Sequence, residues 1–236
     1  MGTAEKAAVW RGAMNAVNAE DVQHAFAKLQ RMKECFAARG WFPATSGNLS
    51  LLVEPAHPPQ RIIAITASGK DKSEHTPEDF LLVDADGQPL AKTRLKPSAE
   101  TLIHTALYAK FSDCRAVFHI HTVANNIISE LYARDGQVTF TGHELLKALG
   151  IWEEGGTIAV PIVENYSDIP KLAAEVEKVA DRRVPGVLIR NHGIYVWGNS
   201  DFAAKRHLEA FEFLFEYQIR LLSLQKEKTR LQHPPS

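Results

Sequence analysis

The sequence predicts an α/β sandwich built on one mostly antiparallel sheet. Strand-like and helix-like segments are interleaved along the chain, hairpin signals such as Asp86-Gly87 fall between strands, and regular βαβ units do not recur. A GxGxxG run is absent, which argues against a Rossmann fold. At 236 residues, 45% hydrophobic and 23% charged, the chain is long enough to bury one large core, and no seam, repeat or low-complexity tract divides it. Residues 1–236 are therefore read as a single domain, loose at its start over about 1–18 and frayed over a polar tail from about 226 to 236.

The elements follow from local patterns. Asp21 suits the cap of a helix reaching about residue 39, with Ala25, Phe26, Leu29, Met32, Cys35 and Phe36 at helical spacing and Gly40 as the stop. Short strands are expected at 49–53, 61–66 and 80–83, separated by a Pro-rich loop over 54–60 and by 68–78, with a turn at 85–87. A helix over 97–110, a strand over 115–120 and a helix over 122–132 come next, then a short helix at 144–149 and a strand at 157–160. Ser167 or Asp168 caps a helix with Pro170 in its first turn, reaching about 181. Two strands flank His192, and Ser200 opens a long helix to about 224. Phe211, Phe213, Leu214, Phe215, Ile219, Leu221 and Leu222 make that helix more apolar than one buried stripe requires, so part of it is read as facing another subunit.

Charge and composition exclude several classes. A formal charge of −1 leaves no electrostatic footprint for nucleic acid or an anionic membrane, and no apolar run is long enough to span a bilayer. The opening Met1-Gly2-Thr3-Ala4-Glu5-Lys6 lacks the apolar core of a signal peptide, so the expected compartment is the cytoplasm. Cys35 and Cys114 have no CxxC partner and read as reduced, packed thiols.

The chemistry concentrates on histidine. His119 and His121 end the apolar run Ala116-Val117-Phe118, and a strand sends alternate side chains to one face, so the pair directs two imidazoles into one site. His192 interrupts a second apolar stretch, completing a set of three typical of an open catalytic zinc site. Taken singly, each also fits a packing or turn residue. Thr45-Ser46-Gly47-Asn48, Thr66-Ala67-Ser68-Gly69-Lys70 and Lys96-Pro97-Ser98-Ala99-Glu100 carry hydroxyls, glycines and backbone N–H groups suited to an oxyanion, or equally to ordinary turns and a helix cap. Glu100 and Glu144 are the candidate carboxylates, although Glu144 also suits the first turn of its helix.

In order, Ser46-Gly47-Asn48-Leu49-Ser50, Thr66-Ala67-Ser68-Gly69-Lys70, Lys96-Pro97-Ser98-Ala99-Glu100, His119-Ile120-His121-Thr122 and Arg190-Asn191-His192-Gly193 resemble the class II aldolase family over about residues 21–222. Within it, residues 140–147, 160–165 and 192–198 are most similar to a dehydratase branch acting in methionine salvage. The resemblance implies a three-layer α/β/α sandwich with a mixed, mostly antiparallel sheet, a cytoplasmic homotetramer with sites near subunit interfaces, and one zinc ion per subunit on His119, His121 and His192. It implies a phosphate held by Ser46, Gly47, Asn48, Ala67, Ser68, Gly69, Lys70 and Ser98. Glu144 takes the acid/base role, and Glu100 either ligates the metal or shares in proton transfer. The implied reaction is dehydration of 5-methylthioribulose 1-phosphate to 5-methylthio-2,3-dioxopentyl 1-phosphate. Residues 137–147 lack the tyrosine that the aldolases carry after their His-x-His pair, which favours dehydration over aldol cleavage. An aldolase or epimerase using the same zinc chemistry, and a non-catalytic scaffold of the same fold, are the alternatives.

Overall fold

The structure, a computed structural model, describes residues 19–53 and 61–232. The expected loose start and the Pro-rich loop at 54–60 lie outside the described residues, as do positions 233–236 of the tail.

Among the described residues, eight strands form one sheet: β1 (Asn48–Leu52), β2 (Ile63–Thr66), β3 (Phe80–Val83), β4 (Ala116–Ile120), β5 (Gln137–Thr141), β6 (Thr157–Val163), β7 (Gly186–Ile189) and β8 (Gly193–Gly198). Their order is β3-β2-β1-β4-β8-β7-β6-β5. Every neighbouring pair is antiparallel except β6 with β7, so the sheet is mixed and mostly antiparallel, as expected. Helices α1 (Ala19–Ala37), α3 (Val123–Leu131) and α5 (Asp201–Gln232) cover one face, where Leu29, Phe36, Ile128, Phe211 and Phe215 pack on Leu49, Phe118 and Ile120. On the other face, α2 (Thr101–Lys110) and α4 (Ile169–Val179) bring Ile103, Leu107, Leu172 and Val176 against Ile63, Ile65 and Val117. The result is a three-layer α/β/α sandwich with a core on each side of the sheet. Fully buried side chains of this size each contribute about 1.5–3 kcal/mol.

Local expectations hold where the signal is local. Gly40 ends α1 in a left-handed conformation at φ 71, with its N–H donating to Ala37 O and the Trp41 N–H donating to Phe36 O. Asp168 caps α4 by accepting from Lys171 N at 3.2 Å, with Pro170 in the first turn. Ser200 Oγ accepts from Ala203 N at 3.0 Å at the start of α5. Cys35 and Cys114 are free thiols, and burial pushes Cys114 up to about 12.

Three boundaries are corrected and one strand is added. Asp21 lies in the first turn of α1 instead of capping it. Helix α2 begins at Thr101 and not at 97, because Pro97 makes a bridge with Ala67 and the Ser98 N–H donates to Thr66 O, holding that stretch extended beside the end of β2. Strand β5 went unread although Val138 and Phe140 alternate with exposed Gln137, Thr139 and Thr141. Helix α5 runs to Gln232, beyond the expected end at about 224, since Lys, Glu and Gln keep a helix going without a core to pack on.

Candidate metal centre

Two adjacent central strands and one turn build the centre. Strand β4 pairs with β1 and β8, placing His119 opposite Asn48 on one side and opposite Tyr195 on the other. Phe118 and Ile120 point into the α1/α3/α5 core, so His119 points to the opposite face. His121 follows immediately, and Thr122 then caps α3 by accepting from Asn125 N at 3.0 Å in a reciprocal capping box. The third histidine sits in the turn between β7 and β8, where Asn191 takes a left-handed φ of 50.

Glycine makes this closeness feasible. A Cβ on Gly193 would lie 2.3 Å from Ile120 O, 2.8 Å from His119 Cε1 and 2.9 Å from His121 Cδ2. Gly47, at φ +73, likewise leaves room for the Phe42 ring and for His119 O, which its Cβ would approach at 2.8 Å.

The three imidazoles converge, each offering a ligand nitrogen within 4.8 Å of the others. His119 Nε2 lies 2.8 Å from His121 Nε2 and 3.4 Å from His192 Nε2. The outer nitrogens fix the tautomers: His119 Nδ1 donates to Ile194 O at 2.9 Å, and His192 Nδ1 donates to Asn165 Oδ1 at 3.2 Å. Both Nε2 lone pairs therefore face inward, where the Glu100 carboxylate lies 3.3 Å from His119 and 2.9 Å from His192. Burial lowers His119 to about 3 and His121 to about 2, leaving neutral imidazoles at neutral pH. Burial raises Glu100, but His119, His192 and Asn48 outweigh it and hold the carboxyl below its usual range. Acceptors facing acceptors in a dry pocket repel one another unless a cation lies between them. The donor set thus fits a divalent metal, and nitrogen with carboxylate oxygen suits zinc and its first-row neighbours.

Polar residues that sequence reasoning left aside support this cluster. Glu100 Oε2 accepts from Asn48 Nδ2 at 2.7 Å and from the Tyr195 hydroxyl at 2.8 Å. Asn48 Oδ1 accepts from His104 Nε2, leaving His104 Nδ1 to accept from Ser50 Oγ at 2.7 Å, which in turn lies 2.9 Å from the Tyr108 hydroxyl. The Tyr195 ring stacks on His119 at 4.0 Å between centroids. One signal for His104 was present: it lies four residues after Glu100, on the same helical face.

The remaining expected site residues divide. Ser46 Oγ is buried without a partner, leaving a polar group for a ligand to satisfy. Its neighbour Thr45 accepts from Lys72 Nζ at 2.6 Å; this lysine is 4% exposed and burial lowers it to about 8. Several donors expected to face an oxyanion are already used. Ala67 N donates to Asp79 O and Ser68 N to Lys96 O, both at 2.8 Å, and Ser98 N donates to Thr66 O at 3.2 Å. Both polar ends of the Asn48 side chain are taken by Glu100 and His104, and Lys70 pairs with Glu78 at 2.6 Å. Glu144 heads its short helix as expected, but its side chain is 81% exposed, pairs with Lys147 at 2.9 Å, and does not join the histidines within one chain.

A cleft of about 750 Å³ opens beside His121 and His192, walled by Val123, Ile127 and Leu131 along one face of α3 and by Asn126, Asn165 and Asn191. It offers an apolar shelf next to polar donors at the mouth of the cluster.

The sequence matches the model of the class II aldolase and adducin N-terminal domain over residues 27–219. It is 53% identical over 199 residues to methylthioribulose-1-phosphate dehydratase of Geobacillus thermodenitrificans, covering 84% of this chain and 92% of that protein. The enzyme of the same name from Persephonella marina is 51% identical over 203 residues, covering 86% and 93%. Among solved structures, YgbL of Escherichia coli aligns with TM-score 0.68 at 27% identity over 81% of this chain and 86% of that one. L-fuculose-1-phosphate aldolase of Thermus thermophilus shares the fold, with TM-score 0.67 at 22% identity, covering 86% and 98%.

Proposed function

Because this chain belongs to the class II aldolase family, we propose that its histidine centre serves a lyase, methylthioribulose-1-phosphate dehydratase, acting in methionine salvage. The observation that carries the reading is the convergence of three imidazoles and the Glu100 carboxylate beside a cleft with an apolar wall. Relatives about half identical to the chain bear that name, and residues 137–147 lack a tyrosine.

In this reading His119, His121 and His192 hold one zinc ion per subunit, with Glu100 beside them. The ion supplies Lewis acidity toward the ketone and neighbouring hydroxyl oxygens of the sugar. Phosphate is bound by the loops carrying Ser46, Gly47 and Asn48, by Ala67, Ser68, Gly69 and Lys70, and by Ser98. Ser46 Oγ is the clearest donor, with the Lys72 ammonium near its loop. The methylthio end then lies along Val123, Ile127 and Leu131. A Glu144 carboxylate takes the C3 proton and returns a proton to the departing C4 hydroxyl, and the enol left behind becomes the diketone. Glu144 is exposed and stands apart from the histidines of its own chain, so this duty requires a site completed at a subunit interface. We accordingly propose that the 236-residue chain is one domain working as a cytoplasmic homotetramer with sites at subunit interfaces. Among the described residues, no helix is long and apolar enough to cross a membrane.

Incubation with methylthioribulose 1-phosphate, followed by diketone absorbance, tests the reaction. An aldehyde product in place of the diketone would assign the chain to the aldolases. Purified protein without stoichiometric divalent metal would assign it to a non-catalytic scaffold.

A further inference from the structure

Glu212, on α5, is 3% exposed, and among the described residues its carboxyl group forms no ion pair. It accepts from Thr122 Oγ1 at 2.7 Å and from Asn125 Nδ2 at 2.9 Å. Both partners belong to the turn that follows His121. Thr122 Oγ1 accepts from Asn125 N at 3.0 Å, and Asn125 Oδ1 accepts from Thr122 N at 3.1 Å and from Asn126 Nδ2 at 3.0 Å. Asn126 Nδ2 also donates to Thr122 O at 2.9 Å and to His192 O at 3.0 Å. One continuous polar path therefore runs from α5 through the cap of α3 to the backbone of both histidine-bearing turns.

Helix capping alone does not require this glutamate. The reciprocal Thr122–Asn125 box already satisfies the cap, so Glu212 adds a buried acceptor that holds the Thr122 hydroxyl and the Asn125 amide in place. Its cost is offset only where fixing the position of Thr122 and Asn125 matters.

We propose that Glu212 is a positioning residue for the metal centre, acting through Thr122 and through the Asn125–Asn126 path to hold the turn after His121 and the His192 turn at a fixed separation. The proposal rests on the reading of the three histidines as a metal site. Support for ligand-bearing segments of this kind typically changes metal affinity by about 10–100-fold.

The test uses the full chain, stripped of metal and titrated with cobalt(II) against a chromophoric chelator, in wild type, Glu212→Ala, Glu212→Gln and Asn126→Ala. Amide hydrogen exchange of the metal-free proteins over residues 120–126 and 190–193 gives a readout independent of loading. Expected for Glu212→Ala are about a 10–100-fold loss of cobalt affinity, shifted visible bands, and faster exchange in both segments. Glu212→Gln keeps shape and one acceptor, so partial recovery of all three is expected. Asn126→Ala, at a partly exposed position, is expected to weaken cobalt binding and speed exchange at 190–193 while leaving 120–126 nearer wild type. If Glu212→Ala does not fold, the other two variants carry the comparison. Variants that melt at lower temperature yet keep wild-type affinity, bands and exchange at 190–193 would reduce Glu212 to a fold residue and overturn the proposal. Wild type that fails to bind cobalt would overturn the metal reading itself, a separate result.

Discussion

Gly193→Ala is the sharpest perturbation of the centre, because it adds one methyl group and no charge. That methyl would sit 2.3 Å from Ile120 O, and Ile120 is held in the middle of the sheet by its pairing with Ile194. Backbone paired in the sheet yields less than a flexible side chain, so relief must come from separating the end of β4 from β8. Overpacking typically costs about 1–3 kcal/mol, and a backbone oxygen as the obstacle argues for the upper end. For a chain of this size each kcal/mol lowers the melting temperature by about 2–4 °C, giving an expected fall of roughly 6–12 °C. The same methyl approaches His119 Cε1 and His121 Cδ2 at 2.8 and 2.9 Å, so both rings must tilt. Metal affinity should then fall by at least the factor of about 10–100 typical of disturbed ligand support. Differential scanning calorimetry of metal-free protein and chelator competition read the two effects separately. Gly193→Ala with an unchanged melting temperature and full metal affinity would refute the claim that β8 must abut the histidines without a side chain.

His121→Ala should lose metal occupancy and turnover together, whereas Glu144→Gln should abolish turnover with metal retained; elemental analysis beside a diketone assay distinguishes them. Buried Glu212 is raised to about 7, so as pH climbs from about 4.5 the unfolded chain ionises first and stability falls by up to about 3 kcal/mol, levelling off above 7. In Glu212→Gln that part of the pH dependence should vanish in melts from pH 5 to 8; an unchanged slope would mean that another group carries it. The Lys33 ammonium pairs with Asp79, both side chains 2% exposed, and also donates to Glu74 O. Asp79→Ala should cost about 3–5 kcal/mol by stranding a buried charge, and a Lys33→Met/Asp79→Ala double variant should recover part of the loss in urea unfolding. Equal stability of the single and double variants would contradict this.

What the sequence disclosed was what depends on neighbours along the chain. His119 and His121 stood out because alternation in a strand is a local rule, and Gly40, Asp168 and Ser200 because caps are local too. Lys96-Pro97-Ser98 misled because its partner, the end of β2, lies about thirty residues away and turns a plausible first turn of helix into extended chain. Tyr195, His104 and Lys72 acquire meaning only from register and packing: nothing around Tyr195 says that it stacks on His119 until β8 is placed beside β4. Glu212 did leave a trace, a carboxylate between Phe211 and Phe213 on a helix otherwise rich in aromatics. The loops expected to hold phosphate were singled out by composition, and composition does not tell which amides are already spent on neighbouring carbonyls.

The histidines gather at one end of the β4–β8 seam at the middle of the sheet, while Glu144 follows the edge strand β5. Under the proposed function, such a division of labour would let reactivity be retuned without rebuilding the cradle: alterations at the rim would redirect which bond breaks, and the histidine cluster would stay as it is. Grafting rim segments between relatives should accordingly trade one chemistry for another far more readily than any alteration along the seam.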